Sequence, residues 1–365
     1  MRIVLLISAN GWRGSGVSFA KIAQGLLDRG HTVRLVTAVP RLTSRFSHLG
    51  LPVTQLPDRD TGPREVWTLA GVLRATGAQA ILADSPRDVR LAAYATLLHR
   101  APIIYRYNLN DRPRLHLMDR IYLSRVAACF YQSRYIRHQA FTRTPRLKRL
   151  LSRRIPNGYD TESLVRDPAS GLAFRERYGI PPTKTIMLSS SKLTRRKGHD
   201  VALEALSRVR HEGIDFVYVV CGDGGQENEL REQAAGLSVP AIFTGLLEPK
   251  EMVAALSAAD LVIHPSLREI FPNAVGEAMS CACPVIAADA GGTGELLGND
   301  GTTGVLVPPG DPVALADAVQ LLLADRDLRE AMGAAARRRI EEEFPLSRMI
   351  DGYESGLQRV VSGRG

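Results

Sequence analysis

At 365 residues, 45% hydrophobic and 23% charged, the chain has the composition of a globular protein and exceeds what one core usually supports, so two domains of ordinary size are expected. Its net charge of +9 conceals an uneven division: residues 1–155 carry 26 Lys+Arg against 8 Asp+Glu, a balance of +18, and the remainder carries 21 against 30, a balance of −9. A membrane span is excluded because no apolar run approaches the roughly 18–20 residues a bilayer needs, whereas the basic first half implies an anionic partner: nucleic acid, an anionic membrane or a phosphorylated glycan.

In chain order, Ile3–Ser8 opens with a five-residue apolar run. It is shorter than the core of a signal peptide and no small-residue cleavage site follows, so it reads as a buried first strand of a cytoplasmic protein. A helical pattern over Gly16–Arg29 leads to strands Thr32–Thr37, Ala78–Ala83, Pro102–Tyr105 and Ala127–Gln132. The rhythm restarts after Ile155-Pro156-Asn157-Gly158 with Thr185–Ser190, Asp215–Cys221, Ala241–Thr244, Leu261–His264 and Pro284–Ala287, with helices between them. Short apolar strands alternating with helices predict parallel sheets with crossover helices, here an α/β chain of two doubly wound domains. The expected boundaries are 1–155 and 156–344, with the helical segment 345–365 returning to the first domain. Ligands of such sheets bind at the carboxyl ends of strands, which places the expected site in a cleft between the two domains. Cys129, Cys221, Cys281 and Cys283 lie in or beside apolar runs without metal-ligand spacing and read as reduced core thiols.

Several strand ends carry candidate chemistry. Asn10-Gly11-Trp12-Arg13-Gly14-Ser15-Gly16 follows the first strand, and Gly14 and Gly16 would let backbone approach a ligand or merely serve a turn. A nicotinamide site fits poorly, because Phe19 stands where the third small residue belongs and no acid follows Thr37 to take a ribose. Ser191–Gly198 sets Lys192 and Lys197 around a loop, as a phosphate site or a solvated turn would. Gly222-Asp223-Gly224 and Phe243-Thr244-Gly245-Leu246 are further junctions, each weak alone. The richest stretch is Ser266–Met279, where Glu269 and Glu277 stand eight positions apart across a loop-to-helix junction. Pro272 suits the first turn of a helix starting near Asn273, whose free N–H groups and positive dipole end would receive a diphosphate between the two carboxylates. Read singly, Glu269 could be a capping residue and Glu277 a solvated one.

As an ordered set, Lys192 with Lys197-Gly198, Gly222-Asp223-Gly224, Phe243-Thr244-Gly245, Pro265-Ser266 with Glu269 and Glu277, Pro284-Val285-Ile286 and Gly291-Gly292-Thr293-Gly294-Glu295 resembles the retaining GT-B glycosyltransferases of family 4, the glycosyl transferases group 1. Ile155-Pro156-Asn157-Gly158-Tyr159-Asp160 matches that family's passage into its second domain, and the likeness covers about residues 155–345. The resemblance implies an acceptor-side first domain and a nucleotide-sugar-binding second one. It implies Lys192, Lys197 and Glu269 as the reacting group of residues, the lysines on the diphosphate and Glu269 on sugar hydroxyls. Glu277 would meet the ribose, backbone groups at Phe271, Asn273 and Ala274 the donor, and Gly14, Gly16, Gly222, Gly224 and Leu246 would complete the pocket. No metal is expected, since no Asp-x-Asp motif occurs, and the co-substrate would be a UDP-sugar, with GDP-mannose the alternative. Pro272 stands where glycine is common, Lys192 where arginine is common, and Arg106-Tyr107-Asn108 where many relatives carry a histidine.

The basic run Arg134–Arg154, interspersed with Tyr135, Ile136, Phe141, Leu147, Leu150 and Leu151, suits an anionic membrane beside a lipid-linked or envelope acceptor such as lipopolysaccharide, and equally a solvated helix face. That would place the protein on the inner face of the plasma membrane. The competing readings are another GT-B enzyme, such as an epimerase or phosphorylase, and a non-catalytic anion-binding protein. Nucleic acid is not the expected partner, because no recognised module accompanies the charge.

Overall fold

The computed structural model describes residues 1–9, 12, 14–58, 61–108 and 122–363. The chain divides into two compact units, Met1–Gly158 with Ser347–Gly365, and Tyr159–Leu346.

The first unit runs β1 (Arg2–Leu6), α1 (Gly14–Asp28), β2 (Thr32–Thr37), α2 (Pro40–His48), β3 (Val53–Gln55), α3 (Pro63–Thr76), β4 (Ala80–Ala83), α4 (Pro86–Ala95), β5 (Ile103–Arg106), β6 (Val126–Tyr131), α5 (Arg134–Arg143) and β7 (Leu151–Arg154). Its seven strands are parallel in the order β3-β2-β1-β4-β5-β6-β7. Every residue of β4 and β5 is buried, as expected where helices cover both faces of a sheet.

The second unit follows with α6 (Pro168–Arg177), β8 (Thr185–Ser190), α7 (His199–His211), β9 (Phe216–Cys221), α8 (Glu227–Gly236), β10 (Ala241–Gly245), α9 (Pro249–Ala258), β11 (Leu261–His264), α10 (Asn273–Ser280), β12 (Val285–Ala288), α11 (Thr293–Leu297), β13 (Val305–Val307), α12 (Pro312–Ala324) and α13 (Arg326–Glu343). Its parallel strands lie in the order β10-β9-β8-β11-β12-β13. Alternate residues feed two cores: Ile186, Leu188 and Val262 pack with Leu256, Val275 and Met279 on one face, while Met187, Tyr218 and Ile263 pack with Leu203, Leu206 and Val319 on the other. All four cysteines are buried and free. Burial pushes the Cys129 and Cys221 thiols up to about 12, so they stay protonated.

The last helix, α14 (Leu346–Val361), belongs to the first unit from Ser347 onward. Arg29 holds it through Asp351 and Glu354, each at 2.6 Å, and Tyr353 accepts a hydrogen bond from Arg106 Nε at 3.1 Å.

The sequence rhythm omits β3, β7 and β13. All three have four residues or fewer and lie at sheet edges, where alternation is too short to register. The basic run Arg134–Arg154 is divided among α5, a 3₁₀ turn at Pro145–Arg149 and β7. No helix among the described residues is long and apolar enough to cross a membrane.

Candidate functional site

In both sheets the strand order reverses once, between β1 and β4 and between β8 and β11. At such a switch point adjacent loops diverge to opposite faces and open a crevice at the carboxyl ends of the strands. The motifs singled out in the second half converge on the second of these points. β8 runs into Ser191-Lys192-Leu193-Thr194 and a 3₁₀ turn, Arg195–Lys197, before α7; its neighbour β11 runs into Pro265–Pro272 before α10.

Close backbone contact welds these loops together. Gly198, at φ +66°, closes the 3₁₀ turn where a Cβ would stand 2.1 Å from the Pro265 carbonyl oxygen. Leu267 N donates to Arg196 O at 2.9 Å and Ser266 Oγ to the same oxygen at 3.2 Å. On the other side, Gly222 and Gly224 face protein: a Cβ on either would lie 2.1 Å from a carbonyl oxygen, that of Ser191 or of Leu193. Their small size brings the β9 turn against the lysine loop, where Leu193 N donates to Asp223 O at 2.8 Å.

The result is a buried charged cluster. Lys197 Nζ and His264 Nε2 both reach Oε1 of Glu269, the histidine at 3.0 Å. The side chains of Lys197, Glu269 and His264 are only 14%, 9% and 4% exposed. Burial alone would raise the Glu269 carboxyl, but the His264 hydrogen bond and the Lys197 charge outweigh it and hold the group well below the usual carboxylate range. Burial lowers His264 more than the carboxylate lifts it, so the ring is neutral and its Nε2–H donates to Glu269.

Behind the lysine loop runs a chain of neutral groups. Burial, aided by the charge of Lys197, lowers His199 to about 3. The Tyr218 hydroxyl donates to Ser189 Oγ at 2.7 Å, and Ser189 donates to Ile263 O at 2.6 Å. His199 Nδ1 lies 3.4 Å from the Tyr218 hydroxyl and Nε2 lies 2.8 Å from Ser191 Oγ. The chain anchors Ser191, the residue preceding Lys192.

Of the remaining expected residues, Lys192, Asn273, Ala274 and Glu277 are half-buried and Leu246 is 61% exposed. Phe271 turns its ring into the core, 5.6 Å from that of Phe344, so only its backbone can serve a ligand. Pro272 stands one residue outside α10, with ψ at 108° rather than in the first turn, and the helix begins at Asn273. Tyr159 is fully buried and packs on Gly276, where a Cβ would meet its Cζ at 1.9 Å. Burial and the charges of Glu277 and Glu269 push its hydroxyl well up.

Gly14 and Gly16 belong to the first unit, in the first turn of α1; Asn10, Gly11 and Arg13 of the same expected loop lie outside the described residues. Arg106 turns inward at the end of β5, 3% exposed and 2.6 Å from Asp84. Tyr107 is fully buried and Asn108 donates to Asp84 O at 2.7 Å. Arg106 and Tyr107 are scaffold rather than a substitute for the family's histidine. In the basic run, Ile136, Ala140 and Leu147 are buried within their own unit, whereas Arg134, Arg137, Arg146, Lys148 and Arg149 are exposed. The outer face is cationic, without an apolar stripe.

Sequence reasoning passed over His264, His199 and Tyr159. A histidine closing the apolar strand Leu261–His264 directly before Pro265-Ser266 was the available signal for the first.

The family model for glycosyl transferases group 1 matches residues 172–339, and that for glycosyltransferase family 4 matches residues 12–163. The chain belongs to this family of glycosyltransferases. Among its relatives in sequence are a phosphatidyl-myo-inositol mannosyltransferase of Mycobacterium leprae, 37% identical over 55% of this chain and 53% of the relative, and a GDP-mannose-dependent monoacylated α-(1-6)-phosphatidylinositol monomannoside mannosyltransferase of Corynebacterium glutamicum, 31% identical over 56% and 55%. The chain spans about half the length of the relatives it matches in sequence. Solved structures cover it more fully. A glycosyltransferase from Rickettsia africae superposes with a TM-score of 0.86 at 20% identity, covering 98% of both chains. HepE from Anabaena, in complex with UDP-glucose, gives 0.85 at 20% identity over 98% of this chain and 99% of the other. These likenesses establish the GT-B fold for this family member.

Proposed function

We propose that this protein transfers a sugar, with retention at the anomeric carbon, from a nucleoside-diphosphate sugar to an anionic lipid-linked acceptor of the cell envelope. The observation that carries the reading is the buried Lys197–Glu269–His264 cluster at the switch point of the second sheet. An ionised Glu269 is an acceptor for sugar hydroxyls, and Glu277, one turn into α10, is placed in sequence for a ribose. Lys192, Lys197 and the first N–H groups of α10, at Asn273 and Ala274, would take the diphosphate, with the Phe271 backbone beside them. Leu246 offers an exposed apolar edge after β10, suited to one face of a base. Gly222 and Gly224 act in this reading through the lysine loop they support.

Negative charge grows on the departing diphosphate in the transition state, so fixed cations and helix N–H groups stabilise that state more than the bound donor. The names of the sequence relatives, which include a GDP-mannose-dependent mannosyltransferase, put GDP-mannose level with the UDP-sugar favoured by motif alone. The relatives named for phosphatidylinositol acceptors support an envelope lipid with an anionic head group beside lipopolysaccharide. The +18 balance of residues 1–155 and the exposed cations of α5 and the turn after it support that acceptor and a peripheral hold on an anionic leaflet by charge, each cation contributing on the order of 1 kcal/mol.

A thermal-shift screen against UDP, GDP, ADP, dTDP and their common sugar conjugates tests the donor. Selective stabilisation by one nucleotide, abolished in Glu277→Ala, is expected, because a ligand of the native state stabilises by RT ln(1 + [L]/Kd). No shift with any of them would reject the transferase in favour of a non-catalytic binding protein.

A further inference from the structure

We propose that His264 is a positioning residue which fixes the orientation of the Glu269 carboxylate, so that recognition of the donor's sugar does not depend on where Lys197 points. The inference rests on the donor site proposed above. The two contacts of Glu269 fall on one oxygen, Oε1, which leaves Oε2 as the edge of the carboxylate that faces a ligand. They differ in kind. Lys197 is a point charge on a flexible stem, carried by a three-residue 3₁₀ turn, and an arriving diphosphate competes with Glu269 for it. His264 is the last residue of β11, in register with Ala287 of β12, its side chain 4% exposed. The preceding carbonyl, Ile263 O, is held by Ser189 Oγ at 2.6 Å. A short, buried side chain on a fixed strand holds its direction when the lysine does not. Glu269 lies five residues further on, on a loop, and would otherwise rotate freely once Lys197 turned to phosphate.

The experiment compares binding of each bare nucleotide with that of its sugar conjugate, UDP with UDP-glucose and GDP with GDP-mannose, by calorimetric titration of the whole chain. His264→Gln keeps an N–H donor at the reach of Nε2; His264→Asn is polar but too short; His264→Leu removes the donor. The expected result is unchanged affinity for the bare nucleotide in all three, with the preference for the conjugate reduced about ten-fold in the Asn and Leu variants and retained by Gln. Should Leu not fold, the Asn and Gln pair carries the comparison. Unchanged preference in the Asn variant overturns the proposal and leaves the donor site standing. Equal loss of bare-nucleotide affinity in Asn and Gln also overturns it, since His264 would then only support the loop. If the parent chain binds no nucleotide and no conjugate, the donor site and this role fall together.

Discussion

Each unit carries a buried ion pair where loops leave its central strands, and the two pairs differ in how their hydrogen-bonding groups are used. In the first unit Arg106 and Asp84 are 3% and 5% exposed and 2.6 Å apart. The guanidinium also donates to Tyr353, and the Gln132 amide, turned so that its oxygen faces Arg106, accepts at 2.9 Å. Asn108 donates to the same Asp84 oxygen at 3.0 Å. The guanidinium thus meets three protein groups, and through Tyr353 the pair ties α14 to the sheet. In the second unit Lys197 and Glu269 are more exposed, at 14% and 9%, and both contacts of the carboxylate fall on one oxygen. Both carboxylates are met by side chains on a single oxygen, so the difference lies in the cation: Arg106 is shared among Asp84, Tyr353 and Gln132 and is scaffold, whereas Lys197, carried on a loop at a switch point, meets Glu269 and fits the proposed donor site.

Breaking each pair should therefore cost different things. Arg106→Leu leaves Asp84 buried without its cation and releases Tyr353, and a loss of about 3–5 kcal/mol in the unfolding of the first unit is expected; a loss under about 1 kcal/mol by urea denaturation would refute the scaffold reading. Lys197→Ala leaves Glu269 with its His264 donor and should unfold the second unit far less. Its expected effect is on turnover, lowered about 10²–10³-fold and by more than donor affinity. A raised Michaelis constant with unchanged turnover would end that assignment.

Backbone geometry offers a smaller test within the second unit. Gly213 has φ +83° with nothing within 4 Å of a Cβ, whereas Gly198 combines φ +66° with a Cβ position 2.1 Å from Pro265 O. Gly213→Ala should cost about 1–2 kcal/mol for the left-handed conformation alone, and Gly198→Ala about 1–3 kcal/mol more, together with the nucleotide-dependent thermal shift, because it separates the two loops. Equal losses in the two variants would show that the contact between the loops has slack.

How much of this was legible beforehand follows from the same contrast. The parallel sheets were readable because strands buried on both faces appear as unbroken apolar runs, such as Phe216–Cys221 and Leu261–His264. Glu269 and Lys197 were readable because their spacing within short motifs carries the signal. His264, His199 and Tyr218 were not, because their significance depends on β8 lying between β9 and β11, a neighbourhood absent from any local window. Gly222 and Gly224 read as ligand contacts in the sequence because glycine answers close approach of any kind; in the structure a Cβ on either would meet a carbonyl of the adjacent loop, a neighbour no local window reveals. In Arg134–Arg154 the interspersed Ile136 and Leu147 suggested an amphipathic surface, yet both are buried, and composition could not say toward which side they point.

The gentlest effect distinguishes the units by the sign of their response to pH. Burial, resisted by hydrogen bonds from Ser8 and Ser85, raises Asp88 of the first unit to about 7. Between its unfolded value near 4 and that value the folded state holds a proton the unfolded chain has shed, so this group's stabilisation is full below about pH 4 and is lost as pH rises through 7. His199 of the second unit is lowered to about 3. Between about 3 and 6.5 the unfolded chain binds a proton that the folded one refuses, so its stabilisation is full above about 6.5 and is lost as pH falls. Each contributes a slope of at most about 1.4 kcal/mol per pH unit, with opposite signs. Hydrogen exchange resolved by peptide, from pH 4.5 to 6.5, reads the units separately. Relative to the parent chain, Asp88→Asn should make the first unit's stability rise more steeply with pH, because a group favouring low pH has gone. His199→Gln should flatten the rise in the second. No change of slope in one of the variants would show that its buried group titrates close to its ordinary value, and that burial at the two switch points is not the common cause.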